Sequence, residues 1–600
     1  IELAAARLRL LTPREIAARL DDRFRLLTSG ARTVLPRQQT LRAVVDWSWD
    51  LLDDQERTAL RALSVFAGGW DLAAAESVGV TPDAMAALVD KSLLVTTPTP
   101  AGMRYRMLET IHEYATERAA QTPTALMESR RAHSAYYLAL AEEADPLLRS
   151  GAQLPWIRRT ETELDNFRAA LRTTLAARDE PAGQRFVQAL GWFWWLRNYR
   201  REGVEWAERV VALGDDPTDP GDPRYHPRMR LRLLLIFLAI ESGPQAEMSD
   251  PALENILSRI RDTYSRGGPE AASFPGLLWP FTLFGHEAHF ARENLDAVVD
   301  NCRRYGGDWE IGVALMFRTH VVVDLPGGLE GVDESLAELR TLSARVGDRW
   351  MRAQVASATG EACMARGRGE EAKAAYEEAL RLAREVGAHA EAPFLIGRIA
   401  ELAYRDGDFD RAEKFLDESS DEAEQFGVWD ARAYISVLRA TIALDRDEPV
   451  RARFQYVQAC DILIRGTPPP QFTAVLACIE ARLTAREQGP REGARAMTAA
   501  FRTSWELRCA DHVMAAVAES TAAVLADAGE HRLAARILSA AEGWRADCPR
   551  SVPERAVART VDEQALRALG PEGYETERAA GAALTPEGVS AQLEAVVSRS

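Results

Sequence analysis

Lysine is almost missing from this chain: Lys91, Lys373 and Lys414 stand against 70 arginines. That scarcity excludes one large class of function. A P-loop needs Gly directly before a Lys that Ser or Thr follows, so that backbone N–H groups cradle the phosphates while the ammonium reaches them. The residues preceding the three lysines are Asp90, Ala372 and Glu413. The sequence therefore holds no standard P-loop, and no cofactor is expected on this chain. Cysteine is sparse too. Its six residues form no CxxC pair and no metal-type cluster, which reads as buried thiols in a reducing cytoplasm. The longest apolar run, Leu233 to Ile240, is eight residues, far short of the roughly 20 a membrane helix needs. No Gly-x-Ser-x-Gly elbow marks a nucleophile. His286 and His289 are three apart, whereas a zinc protease pair is four apart, so no metal site is expected. No residue is assigned a catalytic role, and the chain is not read as an enzyme.

Basic surface is also lacking. The net charge of −17 argues against a nucleic-acid-binding body as a whole. The imbalance is uneven, since residues 1–45 carry nine Arg and four Asp or Glu, which leaves −22 for the rest.

What the chain does have is a repeat. Ala372, Ala412, Ala452, Ala494 and Ala534 are separated by 40, 40, 42 and 40 residues, each five residues after Gly367, Gly407, Asp447, Gly489 or Gly529. A period in this range marks a helical solenoid, in which each helix pair buries its apolar face on its neighbours. The stretch from Ala353 fits a tetratricopeptide through Gly360, Gly367, Ala372, Tyr376 and Ala379. Small residues at Gly360 and Ala372 let two helices approach, and Tyr376 is expected to fill the groove to the next pair. At the Gly489 repeat, Arg482 occupies a position where a small residue is expected, which predicts local irregularity. Gly367-Arg368-Gly369-Glu370-Glu371-Ala372 also matches a dinucleotide fingerprint, but no strand precedes it and the repeat accounts for it. The superhelix offers a concave groove to a protein or peptide partner, or to a small-molecule inducer.

The amino-terminal block reads as three helices, a two-stranded wing and a closing helix. Thr12-Pro13-Arg14-Glu15 starts a helix, and Pro36 precedes another through Trp47. Asp53 to Glu56 is a capping box ended at Gly68-Gly69, and Thr81-Pro82 opens a third helix. Ser92–Thr97 and Met103–Met107 form a hairpin about a turn at 98–102, and a last helix starts near Leu108.

Leu35-Pro36-Arg37-Gln38-Gln39-Thr40-Leu41, Trp47-Ser48-Trp49-Asp50-Leu51-Leu52, Leu63-Ser64-Val65-Phe66-Ala67-Gly68-Gly69 and Tyr105-Arg106-Met107-Leu108-Glu109-Thr110-Ile111 resemble the AfsR-type bacterial regulators. These are signal-transduction ATPases of the STAND, or NB-ARC, class with tetratricopeptide tails. The resemblance is dense over residues 1–120, looser to about 210, and returns at Tyr574 to Val597. It implies that residues 1–34 end the helical region of a nucleotide-binding part lying upstream. ATP or ADP is expected only with that part, and DNA contact only through domains outside this chain. It also implies a nucleotide-sensor-like segment at Met107, Leu108 and Glu109. Leu108 stands where relatives carry a phosphate-sensing His and cannot donate to phosphate, whereas Glu109 keeps the acid.

Helices over about 128–178 supply Tyr136, Tyr137, Leu140, Ile157, Leu164, Phe167 and Leu171 to a core. Trp192-Phe193-Trp194-Trp195 is the densest aromatic cluster and is read as the core of a first helix pair, followed by a turn at Gly203. Loops are expected over 214–227 and 263–280, with helices near 229–241, 251–264, 282–304 and 329–346. The fold expected is mainly α. A winged-helix domain (35–120) leads through a helical linker (121–180) to irregular helical repeats (181–345), tetratricopeptide repeats (346–555) and C-terminal capping helices (556–600). The function expected is the regulatory, partner- or inducer-sensing portion of a cytoplasmic transcriptional regulator. The alternatives are a stand-alone tetratricopeptide scaffold or the regulatory tail of a multidomain enzyme.

Overall fold

The computed structural model describes residues 41–100, 102–240, 251–283, 288–327, 329–463, 470–545 and 548–597. The helix start at Thr12, the boundary at residue 34 and the His286 segment lie outside them. The fold is mainly α: a winged helix followed along the chain by an α-solenoid of tetratricopeptide-like helix pairs. Two compact units are present, one of residues 1–144 and 158–189, the other of 145–157 and 190–600. Among the described residues no helix is long and apolar enough to cross a membrane.

The first unit opens with α1 (Leu41–Asp50) and α2 (Asp54–Leu63). Asp53 accepts from Glu56 N while Glu56 accepts from Asp53 N, so the expected capping box forms. Leu60, Leu63, Ser64 and Phe66 are buried on one side of it. Strand β1 (Gly69–Trp70) and helix α3 (Leu72–Ser77) follow, then α4 (Pro82–Asp90), β2 (Leu94–Thr99), β3 (Gly102–Met107) and α5 (Glu109–Ala120). The sheet is antiparallel in the order β1-β3-β2. Two expectations are corrected here. Gly69 does not end a helix but begins a strand, paired with Arg106, and the short α3 was not foreseen. The hairpin turn is also tighter than 98–102, because Pro98 pairs with Met103 and Thr99 with Gly102. Pro98 is tolerated because β2 is an edge strand, where a missing N–H costs no ladder bond.

Helices α6 (Pro123–Leu147), α7 (Gln153–Thr162), α8 (Leu164–Ala176) and α9 (Glu180–Leu196) come next. The part of this stretch in the first unit is no loose linker. Asn166 accepts from Ala67 N (2.8 Å) and donates to Gly69 O (2.9 Å) and Glu163 (2.8 Å). Glu163 takes a salt bridge from Arg104 of β3 (2.5 Å) and a bond from the Tyr137 hydroxyl (3.1 Å). Buried polar groups are kept only where they are paired, and this network ties the wing to α6 and α8.

In the second unit, α10 (Arg200–Val211), α11 (Tyr225–Ile240), α12 (Pro251–Tyr264), α13 (Ala288–Tyr305), α14 (Asp308–Val323) and α15 (Val332–Val346) precede the repeats. The tryptophan cluster is core, as expected. Trp192 stacks on Trp195 at 4.9 Å and meets Trp309 and Trp350 edge-on at 5.1 and 4.9 Å. Gly203 is not a turn. It sits inside α10, where a Cβ would come within 2.9 Å of Leu238 and 3.0 Å of Trp194, and the turn lies at Asn198 (φ 60°). The loop over 214–224 is held by the buried Arg228, which bonds Asp216 at 2.7 Å and the Gly214 carbonyl at 2.7 Å. Helix α14 was missed because its buried residues, among them Trp309, Val313, Leu315 and Val322, leave no polar face to give the sequence a period.

The repeats pair α16 (Arg349–Ala365) with α17 (Gly369–Val386), α18 (Ala392–Arg405) with α19 (Phe409–Phe426), and α20 (Trp429–Asp445) with α21 (Pro449–Leu463). Helices α22 (Pro470–Gln488) and α23 (Pro490–Glu506), then α24 (Asp511–Asp527) and α25 (His531–Arg545), complete the array. Helices α26 (Val552–Ala582), kinked at Gly570, and α27 (Pro586–Val597) close the chain, so α26 runs across the expected boundary at 555. Ala372, Ala412, Ala452 and Ala534 are fully buried and Ala494 is 9% exposed. Gly367, Gly407, Asp447, Gly489 and Gly529 all have left-handed φ, from 58° at Asp447 to 101° at Gly489. The repeat at Gly489 departs locally from the others, as expected: Gly489 alone separates α22 from α23, with φ 101° and ψ 162°. Arg482 turns away to pair with Asp445 at 2.6 Å, and the close approach moves to Gly493, whose added Cβ would lie 2.3 Å from Ala485 Cβ. Tyr376 rests on Gly360 of its own pair, with its ring 2.7 Å from where a Cβ would stand. Gly360→Val is expected to cost about 1–3 kcal/mol through overpacking. Gly369→Ala, whose Cβ meets nothing within 4 Å, is expected to leave the urea midpoint unchanged or slightly raised. Equal midpoints for Gly360→Val and the parent chain would refute the close approach.

Candidate functional site: a cavity inside the repeat array

The array folds back on itself. Leaving α25, residues 548–552 lie over the turns of much earlier repeats: a Cβ on Gly367 would stand 2.0 Å from Pro549, and one on Gly407 3.0 Å from Val552. Asp511, at the start of α24, accepts from Gly327 N at 3.0 Å. These contacts span 145 to 184 residues of sequence, and beside them lies a cavity of about 540 Å³. That volume lies within the range of small-ligand sites.

The first helix of each pair supplies the walls. Arg405, Asp445, Arg486 and Asp527 line the cavity at intervals of 40, 41 and 41 residues, so one register position alternates in charge along the array. Tyr404 donates to Asp445 at 2.8 Å, and Arg482 bonds the other oxygen of that carboxylate. Tyr434 donates to Glu401 at 2.5 Å beneath the Arg398 guanidinium, which bonds Glu401 at 2.9 Å. Arg545 holds Glu519 with two bonds of 2.7 Å and reaches Glu554 at 2.8 Å, while Arg550 adds a third donor to Glu519. Glu554 also closes the cap of α26 by accepting from Ser551 N at 2.6 Å. Behind Arg398, His320 lies 3.1 Å from Glu361. Burial works against the charge on Glu361, yet His320 and Arg398 outweigh it and hold the carboxyl below its usual range.

Asp324 differs from these groups. It caps the C-terminus of α14, the negative end of that helix. Burial first, and the Glu361 charge second, push its carboxyl up to about 6, against Arg398, Gln471 and His320. Among the described residues neither Asp324 nor Arg405 has an ion-pair partner.

The residues expected to form a nucleotide-sensor segment are in the other unit. Met107 ends β3 and is buried, Leu108 is the exposed N-cap of α5, and Glu109 is exposed at its first turn. Of the charged lining only Arg482 was singled out from sequence, as a misfit in its repeat, although the alternating charges share the repeat period that the alanines revealed. Among the described residues no group of three or more His, Cys, Asp or Glu could hold a metal ion.

The winged helix-turn-helix domain family matches residues 52–120. A candidate HTH-type transcriptional regulator of Mycobacterium tuberculosis, and its counterpart in Mycobacterium bovis, are 32% identical to this chain over 411 residues, 65% of this chain and 44% of theirs. The chain thus spans less than half the length of these relatives. An uncharacterized protein of Mycobacterium tuberculosis is 41% identical over 131 residues, 20% of this chain and 33% of its own. Among solved structures, a signal transduction ATPase with a tetratricopeptide repeat sensor from Pyrococcus horikoshii aligns at 14% identity and TM-score 0.37, over 84% of this chain and 72% of that one. A Rap protein complexed with competence and sporulation factor aligns at 11% and 0.43, over 64% and 99%. Both likenesses are too distant to bear on function.

Two measurements probe the site. Arg545→Met strips Glu519 of its bidentate partner and is expected to destabilise the array by about 3 kcal/mol, the low end for a broken buried pair because Arg550 remains. The double variant Arg545→Met/Glu519→Gln is expected to recover part of that loss, and a double variant as unstable as the single one contradicts the pairing. Asp324 binds its proton more tightly when folded, so the folded chain loses stability as pH rises from about 4 to about 6. Discounted for partial solvent contact, Asp324→Asn is expected to exceed the parent by about 1–3 kcal/mol at pH 8 and to match it near pH 3.5. A pH-independent difference in denaturant midpoints would contradict the assignment.

Proposed function

We propose that this chain is the regulatory, partner- and inducer-sensing portion of a signal-transducing ATPase-type transcriptional regulator, acting through protein–protein contact. One observation carries the reading: a winged helix without a basic reading helix shares a chain with an array closed around a charged, aromatic-lined cavity. In a winged helix-turn-helix, the helix preceding the wing is the one that reads DNA. Here that helix is α4, whose sequence PDAMAALVD carries two acids and no Lys or Arg. Phosphate binding needs cations, and of the two wing arginines Arg104 is engaged by Glu163, which leaves the exposed Arg106. The winged helix therefore serves as a docking module, and DNA contact belongs to other parts of the whole protein. ATP or ADP belongs to those parts as well, since this chain has no P-loop. The chain is not itself an enzyme, and its place is the cytoplasm.

A second reading, a stand-alone scaffold, draws on one feature. Val450, Phe454 and Val457 form an exposed apolar stripe on α21, 85%, 61% and 45% exposed, which suits a further protein partner.

Calorimetric titration of the chain with ATP and ADP is expected to give no binding tighter than millimolar, about −4 kcal/mol; micromolar binding would overturn the assignment of nucleotide to other parts. In the whole gene, in-frame removal of residues 52–120 and of residues 346–597 is expected to change an overlapping set of transcripts. Unchanged transcripts in both strains count against a regulator and favour the scaffold.

A further inference from the structure

The cavity's lining carries six acids (Asp324, Glu401, Asp445, Glu519, Asp527, Glu554) and five arginines (Arg398, Arg405, Arg482, Arg486, Arg545). Eight of these eleven are ion-paired, and a ninth, Asp527, is exposed to solvent. Arg398 and Glu401, Asp445 and Arg482, and Arg545 with Glu519 and Glu554 pair within the wall. Arg486 pairs with Asp447, and Asp527 accepts from Gln564. The remaining two are opposite in sign and, among the described residues, are bonded only by neutral groups: Asp324 accepts from Gln471, and Arg405 meets Cys548 and the Pro549 carbonyl. Asp324 ends α14 on the side closed by Gly327 and Asp511. Arg405 ends α18 beside residues 548–552, where it hydrogen-bonds the Cys548 side chain and makes a 3.5 Å contact to the Pro549 carbonyl.

An unpaired charge in a partly dry site costs stability that a protein keeps only where something repays it. One carboxylate and one guanidinium in one cavity call for a ligand with an ammonium at one end and a carboxylate at the other. Between them the wall offers Tyr404, Tyr434 and Phe472 together with the aliphatic Val437, Val475 and Ile479, a surface for apolar side chains. Gln471 and Thr441 add neutral hydrogen-bonding groups for amides. A multiply charged anion such as a nucleotide is disfavoured, because acids outnumber arginines on the wall.

We infer that the cavity binds a short peptide with free ends, its terminal ammonium on Asp324, its terminal carboxylate on Arg405, and its apolar side chains on the tyrosine- and phenylalanine-lined wall. The assignment rests on the sensing role proposed above and gives it a ligand class. A bidentate Arg–carboxylate pair supplies direction as well as charge complementarity. Arg405 also touches the segment that closes the cavity, so a peptide carboxylate there bridges α18 to that closing segment. Occupancy and closure are thereby coupled.

The test is equilibrium dialysis of the full chain against a pool of free-ended tripeptides with aromatic or aliphatic centres, read by mass spectrometry. The same pool is run N-acetylated and C-amidated. Free-ended peptides are expected to be enriched at least tenfold over either blocked pool. Asp324→Asn is expected to abolish the discrimination against acetylation and to keep that against amidation, and Arg405→Gln to do the reverse. Circular dichroism checks that both variants are folded, and the blocked pools test the parent chain without any variant. No enrichment, or enrichment indifferent to both blocks, overturns the inference. Altered transcripts in the deletion strains with no peptide enrichment would remove the ligand and leave the regulator. Peptide enrichment with unaltered transcripts would do the opposite.

Discussion

Helix pairs can stack into a continuous array only if two backbones approach at one small residue in each repeat, and most of this structure depends on that approach. The fully buried alanines at 372, 412, 452 and 534 provide it. They can do so because the chain reverses through a left-handed residue five positions earlier, a conformation that Gly reaches at no steric cost and Asp447 with little. Where the position facing the second helix carries Arg482, the approach shifts to Gly493 and Ala485 instead of failing. The stacking is thus robust to which small residue supplies the contact, provided one does.

A stacked array has a first and a last repeat, and its interior is normally an open groove. Here the ends are drawn together by residues 548–552 on Gly367 and Gly407, and by Asp511 on Gly327. Closure turns a solvated groove into a partly dry cavity, which changes what its charges cost. Paired groups such as Arg545 with Glu519 and Glu554 meet that cost with short, multiple hydrogen bonds. Among the described residues Asp324 and Arg405 are bonded only by neutral groups, and the proposed ligand site rests on that imbalance.

In the first unit the same physics works toward rigidity. Asn166 and Glu163 satisfy backbone and side-chain groups on both sides of β1 and β3, so the wing is fixed to α8 and one of its two arginines, Arg104, is engaged. Together with the acidic α4, this supports the docking role proposed for the module. The fold alone does not assign DNA readout to this module, since function belongs to the site and not to the architecture.

The sequence by itself determined the elements that follow local rules. Capping at Asp53 and Thr81, the hairpin, and the 40-residue period with its turns are each set by residues within a few positions of one another, and each is where the spacing placed it. A second period was equally legible, in the left-handed glycines at 347, 387 and 427 that end every other helix, α15, α17 and α19. What the residues could not show were elements whose pattern is erased by burial or context. Helix α14 has no polar face, Gly203 serves a close approach and not a turn, and Gly69 becomes a strand because Arg106 pairs with it. The cavity was decided by tertiary structure alone. Its enclosure depends on contacts between residues up to 184 apart, and whether a charge such as Asp324 is paired or left over is a property of what the fold brings beside it, which no local spacing encodes.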